Sequence, residues 1–192
     1  RRYKKQQQAD WKQRLWSPLA VRFPLIDPDP LLQRILPLVR PLFSRVAAAT
    51  WCVTVFMAAI LAISHWSELT AGFSARIMTP QHLMALWLIF HLVKLLHELG
   101  HAFAVKIWGG EVHEIGIMFL ALMPVPYVDA SACSAFRNKR KRMVVGAAGM
   151  IVEVFLASIA MFIWMAVEPG LVQTIVFDVM MIGGVSTLLF NG

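Results

Sequence analysis

Four long apolar segments alternate with polar and basic stretches along the chain. They cover residues 46–66, 82–108, 143–167 and 171–190, and the first contains no Asp, Glu, Lys or Arg. A helix needs about 20 consecutive apolar residues to cross the hydrocarbon core of a bilayer. The pattern therefore predicts four transmembrane helices. The composition agrees, because 58% of the residues are hydrophobic, against roughly 45–50% in soluble domains.

A fifth apolar segment, residues 115–128, differs from these four. It is too short to span a bilayer as a helix, and Pro124 and Pro126 interrupt it. Irregular backbone at membrane depth is tolerated only where it is buried in protein or lines a water-filled cavity. We therefore expect an all-α, polytopic membrane helix bundle with about four transmembrane helices and a short re-entrant or strand-like segment near residues 112–128, lining a cavity.

The chain divides into two regions by composition. Residues 1–45 are basic, with a turn at residues 27–30 and prolines that interrupt a possible helix at Pro37 and Pro41. This pattern predicts a cytoplasmic region that lies along the membrane interface. Residues 46–192 form the predicted membrane core. We expect this core to be truncated at its C-terminus, and the chain to be a piece of a longer protein.

The basic residues are concentrated beside the apolar segments. The net charge is +7, and of 18 Lys and Arg residues ten lie in residues 1–45 and five in residues 137–142. Cytoplasmic loops of membrane proteins carry such an excess, which also attracts anionic lipids. The distribution predicts a multi-pass membrane protein with a cytoplasmic N-terminus and lipid as a partner, and it argues against nucleic-acid binding. Two cysteines are too few for a disulfide framework or a Cys-rich zinc site.

The second apolar segment carries the residues with recognisable chemistry. His97, Glu98 and His101 form an H-E-x-x-H pattern. On a helix, residues four apart lie on one face, so both imidazoles can bind a single Zn²⁺. Zinc makes a water molecule nucleophilic near neutral pH. Glu98 would take a proton from that water and pass it to the leaving amine. The predicted metal ligands are therefore His97 and His101, and the predicted catalytic residue is Glu98.

Other polar residues share the face of this helix. At 100° per residue, one sector contains five ionisable side chains: His91, Lys94, His97, Glu98 and His101. Ionisable groups in a membrane helix are costly and usually face an interior cavity. The alternative interpretation is a polar stripe that only pairs helices. Gly100, inside the motif, allows either another backbone to approach the site or close helix packing.

A zinc hydrolase usually has a third protein ligand in addition to water. The candidates within this chain are Asp178, Glu153 and Asp129. Each of them could instead be a hydrogen-bonding partner between helices. The pattern of residues alone does not choose between these alternatives.

The motif and its surroundings resemble the site-2 protease group of intramembrane zinc metalloproteases, peptidase family M50, and more narrowly the bacterial putative peptide zinc metalloproteases. The resemblance covers most of residues 25–192. It is carried by residues 97–102 (HELGHA), 109–110, 124–131 (PVPYVDAS), the basic cluster after them, 147–153 (AAGMIVE) and the DPD sequence at residues 27–29.

This resemblance implies peptide-bond hydrolysis within a bacterial inner membrane, with Zn²⁺ as the cofactor and a membrane protein or peptide as the substrate. It also implies a third zinc ligand, an Asp in a later Asp-Gly motif, which we expect beyond residue 192. The wider group often has Gly-Pro and then Asn in the next helix, where this chain has Gly149-Met150 and Glu153. Residues 115–128 could hold an extended substrate by strand pairing.

Two other functions fit the same residues. The chain could be a membrane component of a peptide export or maturation system whose metal site is secondary or inactive. It could also be a metal transporter that uses His91, Lys94 and the His pair as a path, although Glu98 beside His97 is more typical of a hydrolase. The sequence indicates neither the substrate nor the oligomeric state.

Overall fold

Helices dominate the architecture. The computed structural model describes residues 20–71, 80–120 and 123–190. In chain order the α-helices and strands are β1 (Ala20–Ile26), α1 (Asp29–Val39), α2 (Arg45–Ser64), α3 (Trp66–Thr70), α4 (Pro80–Ile107), β2 (Ile115–Leu120), β3 (Met123–Val128), α5 (Lys139–Ala166) and α6 (Leu171–Phe190). Short 3₁₀ helices lie at Arg40–Phe43 and Ser131–Ala135.

Three helices are long and apolar enough to cross a membrane: Arg45–Ser64, His82–Ile107 and Lys139–Ala166. Leu88 and Leu92 on the second of them are more than half exposed, as expected for side chains that face lipid. The fourth predicted span is present as helix α6. Its part with described side chains, Leu171–Val185, is shorter than a span, so a fourth crossing stays a prediction.

Local sequence explains where these helices begin and end. The Ser44 side chain accepts a hydrogen bond from the Ala47 backbone N–H (3.1 Å), and Asn138 accepts one from Arg140 (2.9 Å). Such caps satisfy backbone donors that have no partner in the first helical turn. Helix α4 ends where Gly109 adopts a φ of 80°, a left-handed conformation that favours glycine.

A small antiparallel sheet lies beside the helices. Its strand order is β1-β2-β3, with Val21 opposite Phe119 and Gly116 opposite Tyr127. The all-α prediction is therefore confirmed for most of the described chain but is wrong for this sheet. The strand-like interpretation of residues 115–128 is confirmed. Strand β1 lies within residues 1–45, where no strand was predicted, because its pairing partner is about 90 residues away.

Helix α5 is the centre of the helical part. It packs against α2, α4 and α6, and the Trp51 indole N–H of α2 donates to the Ile151 carbonyl of α5 (3.0 Å). Gly183 of α6 lies so close to α5 that a Cβ atom there would be 2.8 Å from the Glu153 carbonyl oxygen. Small residues permit such close approach between membrane helices. Helix α5 is therefore in place to supply partners for polar groups on α4.

Asp29, at the start of α1, connects the N-terminal elements to the end of α4. Asp29 accepts hydrogen bonds from the Lys106 ammonium group (2.8 and 3.0 Å) and from the Val112 backbone N–H (3.0 Å). The hydrogen bond from Lys106 is the main reason that the pKa of Asp29 lies below its ordinary value of 3.8. A carboxyl group whose pKa is lower in the folded than in the unfolded protein stabilises the folded state at pH values above its ordinary pKa. This stabilisation is lost as the pH falls through the folded-state pKa.

We predict that Asp29→Asn lowers the stability of the folded protein, because Lys106 is buried and would lose its counter-charge. The expected loss is about 1.5–3 kcal/mol, typical of a charged hydrogen bond. The measurement is thermal unfolding in detergent at neutral pH and below pH 4. The difference between wild type and variant should shrink as Asp29 becomes protonated.

The matched control is Asp27→Asn. The Asp27 side chain is 54% exposed in its contact with His113, so this variant should change stability by less than about 0.5 kcal/mol. Equal losses from the two variants, or a difference that does not depend on pH, would contradict the assignment of Asp29 as the anchor.

Candidate metal centre

The ionisable residues of α4 face the protein interior, as the helical wheel predicts. Lys94 and His97 are buried, whereas Leu95 and Leu96 between them are exposed. The polar face meets α5 on one side and strand β3 on the other. Among the described residues, the hydrogen bonds and ion pairs that the structure gives for Lys94, His97, Glu98 and His101 go to these two elements or stay within α4.

His97 and His101 bring their Nε2 atoms together. The two Nε2 atoms are 3.1 Å apart. Two nitrogen ligands of a tetrahedral Zn²⁺, each about 2.0–2.1 Å from the ion, are separated by about 3.3 Å. The structure thus places the two predicted metal ligands at the separation that one zinc ion requires.

The opposite ring nitrogens of both histidines face oxygen acceptors. The Nδ1 atom of His101 lies 2.6 Å from the Val145 carbonyl oxygen. The Nδ1 atom of His97 lies 3.0 Å from Oε1 of Glu153. The N–H of His97 is not aligned closely enough for a regular hydrogen bond, so this second contact is mainly electrostatic. The Val145 carbonyl favours a proton on Nδ1 of His101, and the Glu153 carboxylate would stabilise one on Nδ1 of His97.

With a proton on both Nδ1 atoms, the two Nε2 atoms would face each other with their lone pairs. A neutral imidazole has one N–H and one acceptor nitrogen, so a proton on Nδ1 makes Nε2 the acceptor. The 3.1 Å contact has the geometry of an N–H···N hydrogen bond between the rings, and a cation would take the place of that proton once both Nδ1 atoms are protonated. Metal-bound histidines commonly have their second nitrogen donating to a carboxylate or a backbone carbonyl. The donor set of His97 and His101 therefore fits Zn²⁺.

Two glycines make this packing possible. A Cβ atom at Gly149 of α5 would collide with Nε2, Cδ2 and Cε1 of His97. The missing side chain thus leaves room beside the atom that would bind metal. At Gly100, a Cβ atom would be 3.0 Å from the Ala148 carbonyl oxygen. Gly100 therefore permits close packing of α4 on α5, and the backbone it admits is that of the residue before Gly149.

Glu98 is held by the sheet rather than by α5. Its Oε2 atom accepts a hydrogen bond from the Val128 backbone N–H of β3 (3.1 Å). The Nε2 atom of His91, two turns earlier, lies 2.7 Å from the Pro124 carbonyl oxygen. These two contacts align the outer edge of β3 with the polar face of α4. His91 lies on the same face of α4 as His97 and His101, but its Nε2 atom contacts β3 and not the two histidines.

The three candidates for a third ligand within the chain lie against groups other than the two Nε2 atoms. Glu153 lies on the Nδ1 side of His97, opposite the nitrogen that would bind metal. Asp178 lies 3.4 Å from His82, which is fifteen residues, or about 22 Å of helix rise, before His97. Asp129 accepts a hydrogen bond from the Ser131 backbone N–H (2.9 Å).

No group of three or more His, Cys, Asp or Glu side chains surrounds a common point among the described residues. His97 and His101 therefore remain the two predicted ligands. The third ligand expected beyond residue 192 stays a prediction.

Comparison of the chain with protein-family models, with curated proteins and with solved structures finds no match. The assignment of the site consequently depends on the geometry of the side chains described above.

Sequence reasoning did not find several groups that shape this site. It missed the roles of Gly149 and of the Val145 carbonyl, and it treated Lys94 and Glu153 separately. One signal was available for the last two: a lone charge in an apolar membrane helix needs a partner of opposite sign. Nothing in the sequence singles out a particular backbone carbonyl or N–H as a partner.

We predict that Gly149→Ala strongly reduces zinc binding, because the new methyl group would occupy the space beside Nε2 of His97. The measurement is the zinc content of the purified protein after equilibration with excess Zn²⁺. The matched control is Gly146→Ala in the same helix, where a Cβ atom has no neighbour within 4 Å. That control should bind zinc normally and lose no stability, since Ala is the better helix former. Equal zinc binding by both variants would argue against this geometry.

Proposed function

We propose that the protein is an intramembrane zinc metalloprotease that hydrolyses peptide bonds in or near the bilayer. The observation that carries the proposal is the 3.1 Å separation of the His97 and His101 Nε2 atoms, with an acceptor opposite each Nδ1 atom. The position of Glu98 beside this pair and the resemblance of residues 97–102 to the site-2 protease group also support it.

Each residue of the motif has a separate role in this proposal. His97 and His101 would hold the zinc ion through their Nε2 atoms. The ion would supply a water molecule activated for attack and would polarise the peptide carbonyl group. Glu98 would accept a proton from that water and deliver it to the leaving amine. The N–H of Val128 keeps one carboxylate oxygen of Glu98 in place through a hydrogen bond.

The surroundings of the site support a membrane location. The motif lies on one of the three helices that are long and apolar enough to span a bilayer. The exposed leucines on the opposite face of that helix provide an apolar surface for lipid. We propose in addition a multi-pass arrangement in a bacterial inner membrane, with the N-terminus on the cytoplasmic side as the basic residues predict.

A substrate must present an extended segment to the histidine pair. The edge of β3 that faces α4 includes Pro124 and Val128, and alternation along the strand adds Pro126. Proline has no backbone N–H, and the N–H of Val128 is donated to Glu98. The Pro124 carbonyl of this edge faces His91, so a substrate strand would have to replace contacts that β3 now makes with α4. Strand pairing of a substrate with residues 115–128 stays a prediction.

We predict that Glu98→Gln abolishes peptide hydrolysis but not zinc binding. Loss of the proton-transferring group should reduce the rate by about 10²–10⁴-fold, whereas both imidazoles remain. His97→Ala should lose both properties. The measurements are hydrolysis of a quenched-fluorescent single-span membrane peptide by the full-length protein in detergent and the zinc content of the same samples.

The same variant separates the proposal from the export or maturation function with an inactive metal site. If peptide export in cells depends on the protein and Glu98→Gln leaves that export intact, the protease proposal is wrong. Full hydrolytic activity of Glu98→Gln would also contradict the assigned role of Glu98.

A further inference from the structure

A buried ion pair joins α4 to α5 directly behind the candidate metal site. The Lys94 ammonium group donates to Oε1 of Glu153 at 2.6 Å. The Glu153 side chain is completely buried, and the Lys94 side chain is 11% exposed. The same Oε1 atom lies 3.0 Å from Nδ1 of His97. One carboxylate oxygen thus contacts both a cation and an imidazole of the predicted metal site.

Stability alone does not explain a buried ion pair of this kind. Removing two ions from water is expensive, and replacing a buried pair with apolar residues of similar volume is often neutral or stabilising. Lys94 lies near the middle of α4 and Glu153 near the middle of α5. A charged side chain at such a position costs free energy in a membrane. Their position next to His97 points to a role at the site.

We propose that Lys94 and Glu153 are positioning residues for His97: Glu153 holds the proton of His97 on Nδ1 and fixes the orientation of the ring, and Lys94 neutralises the buried carboxylate. This inference rests on the proposed zinc site. Carboxylates that contact the second nitrogen of a metal-bound histidine typically contribute a 10–100-fold increase in metal affinity.

The two histidines differ in how they are oriented. His101 faces the Val145 carbonyl, a backbone group that no substitution removes. His97 faces the side chain of Glu153, and the ammonium group of Lys94 balances the negative charge of that carboxylate. The zinc affinity should therefore be sensitive to substitutions at two positions that do not themselves bind the metal.

The single variants Glu153→Gln and Lys94→Met test the proposal. In each, the full-length protein in detergent should show zinc affinity reduced by about 10–100-fold, measured by competition with a chromophoric chelator. The visible absorption bands of bound Co²⁺ should also shift, because the ring of His97 would bind in an altered orientation. Zinc affinity within a factor of two of wild type in Glu153→Gln would overturn the proposal.

The matched control is Asp178→Asn, which also removes a buried carboxylate from a membrane helix. Asp178 is 2% exposed and lies beside His82, far from His97 along α4. Its zinc affinity should equal that of wild type. A comparable loss in this control would assign the effect to the loss of any buried charge and would overturn the specific role of Glu153.

A double variant separates positioning from simple stabilisation. Lys94→Met combined with Glu153→Leu leaves no unpaired charge, so its thermal midpoint should recover relative to the single variants. Its zinc affinity should stay at least about 10-fold below wild type. Recovery of both the midpoint and the affinity would show that the pair is only structural.

The zinc measurement also distinguishes this inference from the proposed function. A wild-type protein that binds no zinc would refute both. A wild-type protein that binds zinc, together with Lys94 and Glu153 variants that bind it equally well, would refute the positioning role alone. Peptide hydrolysis is not needed for either conclusion.

Discussion

The contact between α4 and α5 depends on one constraint: a polar group inside a membrane-spanning helix must find its partner within the protein. Lys94 and His97 of α4 both contact the carboxylate of Glu153 on α5. Such short distances require close approach of the helix backbones, which Gly100 and Gly149 permit. The polar contacts between α4 and α5 therefore depend on the small residues that let the two helices approach.

The helical part of the fold could be predicted because its signal is local. The predicted start of the last helix at Leu171 agrees with the structure, and Gly109 follows the end of α4 as expected. The sheet could not be predicted in full, because β1 pairs with a strand about 90 residues later. No local pattern in residues 20–26 carries that information. The prolines of residues 115–128 did exclude a spanning helix there.

The candidate site could also be predicted only in its local part. The H-E-x-x-H spacing places His97 and His101 on one face of a helix, so their proximity follows from the sequence and helix geometry. The groups that orient them come from another helix, through tertiary packing. Glu153 was visible as an isolated charge, but its contact with the Nδ1 side of His97 was not. Helical periodicity identifies a face, whereas the register between two helices decides which atoms meet.

The orientation of the imidazoles bears on the choice between the proposed metal site and a polar stripe that only joins helices. In such a stripe, each polar atom would find a complementary partner on the neighbouring helix, as Lys94 finds Glu153. The Nε2 atoms of His97 and His101 instead face each other, and both Nδ1 atoms face oxygen acceptors. With only one proton shared between the two Nε2 atoms, they make an N–H···N hydrogen bond. With both protons on the Nδ1 side, two lone pairs would be in contact in a site of low dielectric constant, and a cation that accepts both would remove that cost. The acceptors opposite the Nδ1 atoms thus favour metal binding at Nε2.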